Sequence, residues 1–411
     1  MRITDVTITP IAFRDPPLLN SWGVHEPLAL RTIVKITAEG ELIGWGEGSG
    51  EASTLAALRA TRATLIGLDP FDLHAVESAV HVALPSATDR DLLSAFAIFE
   101  VACLDLQGKI AGVPVCDLLG GAIRDTVPFS AYLFYKWADH IDEGGRKTSS
   151  DDQWGAAVDP NGIVEQARKL INENGFRSLK LKGGVFPPDQ EIAAVRALAT
   201  AFPSVPLRID PNGAWSVDTS LKVARELSDV LEYLEDPTLA LDDMATVARE
   251  GGLPLATNMC VTSFKTIPPA LAIDAVQIVL ADHHYWGGLR RSRELARVCD
   301  TFGLGLSMHS NSHLGISLAA MTHLAASTPN LSYACDTHYP WNRRDDVLVE
   351  PFEFTDGSLA VSRRPGLGVE VDEAKVALLA EQYIRSGRTT RDDTAYMRHV
   401  NPQYDPTLPR F

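Results

Sequence analysis

Between residues 127 and 335 the chain repeats one pattern eight times: a short apolar run, followed in most cases by a helical stretch. The runs fall at 127–133, 178–182, 207–210, 233–235, 255–258, 275–280, 305–309 and 331–335, with helices predicted at 161–173, 189–201 and 218–231 among the separators. Parallel strands need a crossover between neighbours, and eight strands alternating with helices close into a parallel (β/α) barrel. An open doubly wound sheet shares the alternation, so the count of eight is what favours the barrel.

The chemistry-bearing residues keep step with this repeat. From Lys182, successive runs end on or beside Asp210, Glu235, Asn258, Asp282, His309 and Asp336, at intervals of 23 to 28 residues. In a parallel barrel the C-terminal strand ends meet at one mouth, where enzymatic sites are built. Any one of these side chains could be a turn or capping residue, but seven in phase point to an active site.

The flanks read differently. Residues 3–13, 32–37 and 41–47 carry strand-like patterning, and 51–65 and 91–111 show helical spacing of apolar residues. The expected organisation is an α+β capping domain over 1–125, a (β/α) barrel over 126–350, and a C-terminal segment over 351–411 that returns to the cap. In that last segment β-like pieces are predicted at 352–354 and 359–361, and a helix at 373–384. Residues 134–159, rich in Gly, Asp and Ser, are expected to form a long loop above the barrel mouth.

Net charge is -16, so a nucleic-acid or anionic-membrane partner is not expected. The five cysteines are scattered with no CxxC pair, which argues against a disulfide framework or a thiolate zinc site. No run is long and apolar enough to span a bilayer, and the N-terminus lacks a signal-peptide core. The expectation is a soluble, cytoplasmic enzyme of small molecules, assembled as a homo-oligomer.

Residue types narrow the chemistry. Asp210, Glu235 and Asn258 on consecutive strands offer three hard oxygen ligands, a set suited to Mg²⁺. Lys180 and Lys182 alternate on one strand, so both point to one face, and their mutual repulsion is expected to lower the pKa of each and prepare a neutral base. Asp282 and His309 come from neighbouring strand ends, where a carboxylate can orient an imidazole. His283 and His284 are read as loop packing. A metal flanked by two bases suits abstraction of the proton α to a carboxylate, with loss of a β-hydroxyl as water.

The stretches Lys180-Leu-Lys-Gly-Gly184, Asp210-Pro-Asn-Gly-Ala-Trp215, Glu235-Asp-Pro237, Ala256-Thr-Asn-Met259, Met308-His-Ser-Asn311 and Asp336-Thr-His338 resemble the enolase superfamily and, within it, the D-glucarate dehydratase family. The resemblance extends over almost the whole chain. It implies Mg²⁺ at Asp210, Glu235 and Asn258, Lys182 as one base and the His309–Asp282 dyad as the other. It further implies substrate contacts from Lys180, Asn212, Asn311, His25, Tyr132, His338 and Arg391, with Ser86 near a family threonine contact. The last of these chain segments, around Arg391, and His25 would close over the mouth from the tail and the cap. After Glu235 the loop is short, and Asp242 or Asp243 is a candidate to share the second metal position. The implied reaction is dehydration of D-glucarate or L-idarate to 5-keto-4-deoxy-D-glucarate; the alternative is a dehydratase or epimerase of another acid sugar, such as galactarate or an aldonate.

Overall fold

The computed structural model describes residues 1–142, 147–148 and 153–411. The capping domain is built on a three-stranded antiparallel sheet of β1 (Ile3–Arg14), β2 (Leu28–Ala38) and β3 (Leu42–Ser49), with β2 in the middle. Helices α1 (Ala52–Leu65), α2 (Leu73–Ala83) and α3 (Asp89–Ala111) follow. One sequence detail explains how α3 docks. In β3 every second residue of Gly44-Trp-Gly46-Glu-Gly48 is glycine, and a Cβ at any of the three would collide with Ala102 or Ile98 of α3. With hydrogen in place of a side chain, the helix backbone lies directly on the strand. Helix α2, which the sequence reading missed, buries only Leu73, Val76 and Val80 against its neighbours, a stripe too thin to register beside Pro70 and Pro85.

The barrel strands are β4 (Thr126–Phe134), β5 (Leu179–Lys182), β6 (Leu207–Asp210), β7 (Leu231–Glu235), β8 (Leu255–Thr257), β9 (Ile278–Ala281), β10 (Gly305–Met308) and β11 (Cys335–Thr337). All pair in parallel, and β4 pairs with both β5 and β11, which brings the strands round into a nearly closed barrel. The seam between β10 and β11 carries no ladder among the described residues. Single bonds stitch it, from the Ser332 amide to the Leu306 carbonyl at 2.9 Å and from the Ser307 hydroxyl to the Ala334 carbonyl at 2.9 Å. The last strand therefore lies at 335–337 rather than 331–335, because residues 331–334 run along this open seam. Likewise no strand forms at 352–354. Phe354 instead packs its ring against Phe129 and Phe176, and only Ser358–Ala360 pairs, antiparallel, with the foot of β4.

After β11 the chain returns to the cap through α11 (Glu373–Ser386) and α12 (Asp393–Arg398). The loop after β4 also reaches the cap. Its Tyr135 carbonyl accepts from the Leu19 amide at 2.7 Å, and His140 Nε2 lies 2.6 Å from the Asp15 carbonyl. Residues 143–146 and 149–152 of the expected 134–159 loop lie outside the described residues.

Cap and barrel are further joined by a buried carboxylate. Glu100, inside α3, accepts from the amides of Leu289 at 2.5 Å and Arg290 at 3.2 Å, the first turn of helix α9 (Gly288–Phe302). Gly288 is required there, since a Cβ would strike the Glu100 carboxylate. Burial raises the Glu100 pKa to about 7 against an ordinary 4.5. As pH rises between these values the unfolded chain gives up its proton first, so the native state holds more protons and stability falls. E100Q should therefore flatten the decline in melting temperature between pH 5 and pH 7, whereas E100A, which orphans two buried amides, should cost about 1–3 kcal/mol. Thermal melts across that pH range check both, and an E100Q curve parallel to wild type would contradict the assignment.

Candidate active site

Strand register assembles the mouth. Tyr132 pairs with Lys180, and Phe134 with Lys182, across β4 and β5; Lys182 pairs in turn with Asp210 on β6. Paired residues of adjacent strands face the same side, so Lys180, Lys182, Asp210 and Tyr132 point together into the barrel. Lys182 Nζ lies 2.5 Å from Asp210 Oδ2 and 3.5 Å from the Tyr132 hydroxyl. Lys180 Nζ, fully buried, lies 2.5 Å from Glu235 Oε2, 2.7 Å from Asp336 Oδ2 and 3.8 Å from Asp210 Oδ2.

This arrangement corrects one expectation. Burial opposes the charge of Lys180, but Asp336, Glu235 and Asp210 around it hold its pKa well above the ordinary lysine value. Carboxylates surround the Lys180 ammonium, so their attraction outweighs the repulsion expected there from the Lys-x-Lys spacing. Asp210, despite its burial, is held down to about 2 by Lys182 and Lys180. Glu235 is pushed well above the carboxylate range by burial and by Asp210.

The metal-ligand trio fits a divalent cation. Glu235 Oε1 and the amide oxygen of Asn258 are buried without a hydrogen-bond partner, and Glu235 Oε2 meets only the Lys180 ammonium among the described residues. Such orphaned acceptors are costly unless a cation or water meets them. Asp210, Glu235, Asp236 and Asp336 outnumber the two lysines, and a dication would offset the excess. Asp242 and Asp243 do not enter the trio, because they sit exposed in the first turn of helix α7 (Leu241–Gly251). The residue that neighbours Glu235 is Asp236. It accepts from Thr257 Oγ1 at 2.5 Å and the Asn258 amide at 2.9 Å, and so holds the end of β8. A second group, Asp282, His283 and His284, also brings its ligand atoms within 4.8 Å of one another, but Asp282 and His284 already hydrogen-bond each other there.

Across the mouth, His309 Nδ1 lies 3.0 Å from Asp282 Oδ2. Burial raises the Asp282 pKa, yet His284 and His309 hold it well below the carboxylate range. An anionic partner at Nδ1 fixes the His309 tautomer and leaves Nε2 for proton transfer. His284 is not merely loop packing, since its Nδ1 lies 2.8 Å from Asp282 Oδ1. Sequence offered no signal for that role beyond adjacency to Asp282.

A cavity of about 480 Å³ unites these groups. Lys182, Asn212, Asn258, His309, Asn311, Tyr132 and His338 line it from the barrel, His25 from the cap and Arg391 from the tail. Lys180, Asp210, Glu235 and Asp282 lie in its buried surroundings rather than on its wall. Asn212, at a positive φ of 51°, donates its amide N–H to Asp210 Oδ1 at 2.9 Å. Ser86 is exposed in a turn and does not line the cavity.

The far end differs from expectation in its charge. Arg391 is already a closed fork: Nε and Nη2 lie 2.7 and 2.9 Å from the Asp393 carboxylate, and Nη1 lies 2.8 Å from Asp15 Oδ2. Asp15 also holds His25 Nδ1 at 3.1 Å. Arg90, absent from the sequence reading, lines the same cavity. It stacks on the Tyr285 ring at 4.4 Å and has no carboxylate within ion-pair distance among the described residues.

Two family signatures cover most of the chain. The Mandelate racemase / muconate lactonizing enzyme, N-terminal domain matches residues 4–120, and the Enolase C-terminal domain-like family matches residues 162–375. The chain belongs to the enolase superfamily. It is 53% identical, over 100% of its length and 99% of the relative's, to a Streptomyces coelicolor protein named probable glucarate dehydratase. Among solved structures, a Thermobispora bispora enolase complexed with magnesium and formate is 52% identical with a TM-score of 0.96, covering 100% of both chains. A Pseudomonas fluorescens enolase with bound magnesium, potassium and tartrate is 50% identical with a TM-score of 0.96, covering 100% of this chain and 99% of that one. The chain is thus an enzyme of a magnesium-dependent superfamily, consistent with a hydro-lyase. No helix among the described residues is long and apolar enough to cross a membrane.

Proposed function

We propose that this enzyme dehydrates a six-carbon diacid, D-glucarate and its epimer L-idarate, to 5-keto-4-deoxy-D-glucarate. The observation that carries this reading is the opposition of Lys182 and the His309–Asp282 dyad across one cavity, with Asn258 on its wall and Asp210 and Glu235 buried behind it. Mg²⁺ held by Asp210, Glu235 and Asn258 would bind the substrate carboxylate and acidify the adjacent C–H. Lys180, locked in its ammonium form, places a positive charge beside that carboxylate. Lys182 or His309 Nε2, according to the configuration at C5, takes the α-proton. His309, made imidazolium by that abstraction or already imidazolium when Lys182 is the base, gives its proton to the β-hydroxyl, which leaves as water, and the enol takes a proton at C4 to become the 5-keto product. Tyr132, buried, stays protonated because burial raises its pKa well above 10, and it can donate to a substrate oxygen.

The distal carboxylate meets Arg90 rather than Arg391. With Arg391 tied to Asp15 and Asp393, its role is to carry His25 and the tail into place, whereas Arg90, stacked on Tyr285, brings to the cavity rim a guanidinium with no carboxylate partner among the described residues. The supporting relative is the protein named probable glucarate dehydratase. The test is an assay of 2-keto-acid formation over a panel of aldaric and aldonic acids with Mg²⁺. Removing the distal charge by replacing D-glucarate with D-gluconate should lower kcat/KM about 10–1000-fold, or about 1.4–4 kcal/mol at roughly 1.36 kcal/mol per decade. Equal or better turnover of gluconate would make the enzyme an aldonate dehydratase.

A further inference from the structure

The guanidinium of Arg31, on β2 of the cap, is buried against the barrel. Its Nε donates to Glu47 Oε1 at 2.9 Å, and Nη1 donates to Asn311 Oδ1 at 3.2 Å. Its Nη2 lies 3.2 Å from both His284 Nε2 and Ser317 Oγ, and these two atoms are 2.8 Å apart. Glu47 in turn accepts from the amides of Leu314 and Ser317, each at 2.8 Å. These amides belong to the start of helix α10 (Gly315–Ser327), which follows β10 and the His309 just beyond its end.

Arginine has no acceptor and does not lose its proton in proteins. An N–H on His284 Nε2 would therefore face the Arg31 N–H head-on. The neutral ring with a bare Nε2 receives hydrogen bonds from Ser317 and Arg31 instead, so its proton resides on Nδ1. That proton is donated to Asp282 Oδ1 at 2.8 Å, and the His284 amide adds a second bond to the same oxygen at 3.0 Å. Oδ1 is thereby saturated, and Oδ2 is turned to His309.

We propose that Arg31 and His284 are positioning residues for His309: the cap, through Arg31, sets the His284 tautomer, and His284 sets the carboxylate that orients the catalytic imidazole. Docking of the cap and readiness of the dyad are one hydrogen-bonded unit. This inference rests on the reading of His309 as a proton-transfer group.

Two measurements test it. The first is independent of turnover: ¹⁵N NMR of histidine-labelled enzyme, with the His284 signals identified by their loss in H284N. His284 should be the Nδ1–H tautomer in the wild type and a mixture in R31M; an Nε2–H ring in the wild type overturns the proposal. The second follows solvent-deuterium exchange into the C5 epimers glucarate and idarate, with H309N marking which epimer depends on His309. H284Q, which lacks a donor at the Nδ1 position, should lose exchange of that epimer by about 10–100-fold, the usual cost of removing a histidine's orienting partner, while Lys182-side exchange holds. H284N, whose amide reproduces the Nδ1–H donor, should restore most of it. Equal losses for both epimers in H284Q would assign a purely structural role and overturn the proposal. If H309N shows no epimer preference, the failure lies with the proposed function, and the tautomer measurement still decides this one.

Discussion

Lys182→Ala and His309→Asn should each reduce dehydration of D-glucarate by about 10²–10⁴-fold, the range a positioned acid or base contributes, and they should fail on opposite epimers. Lys182 and His309 line the same cavity, but they arise from the second and seventh barrel strands and are held by different partners, Asp210 and Asp282. A substrate carbon between them presents its hydrogen to one or the other according to configuration. One variant should still exchange glucarate with solvent deuterium and the other idarate. Both should be deficient in forming product from either epimer, for different reasons. Without His309 the β-hydroxyl has no proton donor. Without Lys182 the Asp210 carboxylate keeps, among the described residues, only Lys180 at 3.8 Å as an ion-pair partner, so the site loses charge balance as well as a base. Proton exchange with retention of the hydroxyl group, read by NMR, separates abstraction from elimination. If the two variants exchange the same epimer equally well, the two-face arrangement is wrong.

The barrel was legible because its repeat imposes a spacing and because chemistry clusters at one end of parallel strands. Seven in-phase polar residues identified the mouth before any contact was visible. Seven of the eight strands fall close to where the apolar runs lie, and the eighth slips because residues 331–334 follow a seam held by single bonds rather than a ladder. The electrostatics were not legible. Lys-x-Lys spacing announces two neighbouring charges but not the Asp336 and Glu235 that reverse their effect, since these arrive from strands far along the chain. For the same reason Arg31 carried no signal: its partners His284, Asn311 and Ser317 lie more than 250 residues away. Arg391 was found by resemblance, but its closed fork on Asp393 and Asp15 is a matter of tertiary contact. Arg90 was missed because a lone arginine at the start of an amphipathic helix reads as surface charge.

Exhaustive chelation should abolish turnover while leaving the far-ultraviolet circular dichroism unchanged. Asp210, Glu235 and Asn258 lie at strand ends above the barrel's apolar interior of Tyr233, Ala256, Ile278 and Leu280, and none of them caps a helix or bridges cap to barrel. Lys180 and Lys182 already lie within 2.5 Å of Glu235 and Asp210 respectively, so the buried carboxylates keep a counter-charge when the cation is withdrawn. Folding therefore does not depend on the ion, unlike in a small zinc module where the metal supplies the core. Catalysis does, because only a dication can balance the carboxylate excess while also receiving a substrate carboxylate. Re-adding Mg²⁺ should restore activity and raise the melting temperature by simple mass action, worth about 2.7 kcal/mol at a hundredfold excess over Kd. E235Q should weaken that Mg²⁺-dependent shift and retain the same circular dichroism, since the amide keeps the shape but removes an anionic ligand. Full activity in metal-free enzyme, or a collapse of helical signal on chelation, would contradict the assignment of this trio.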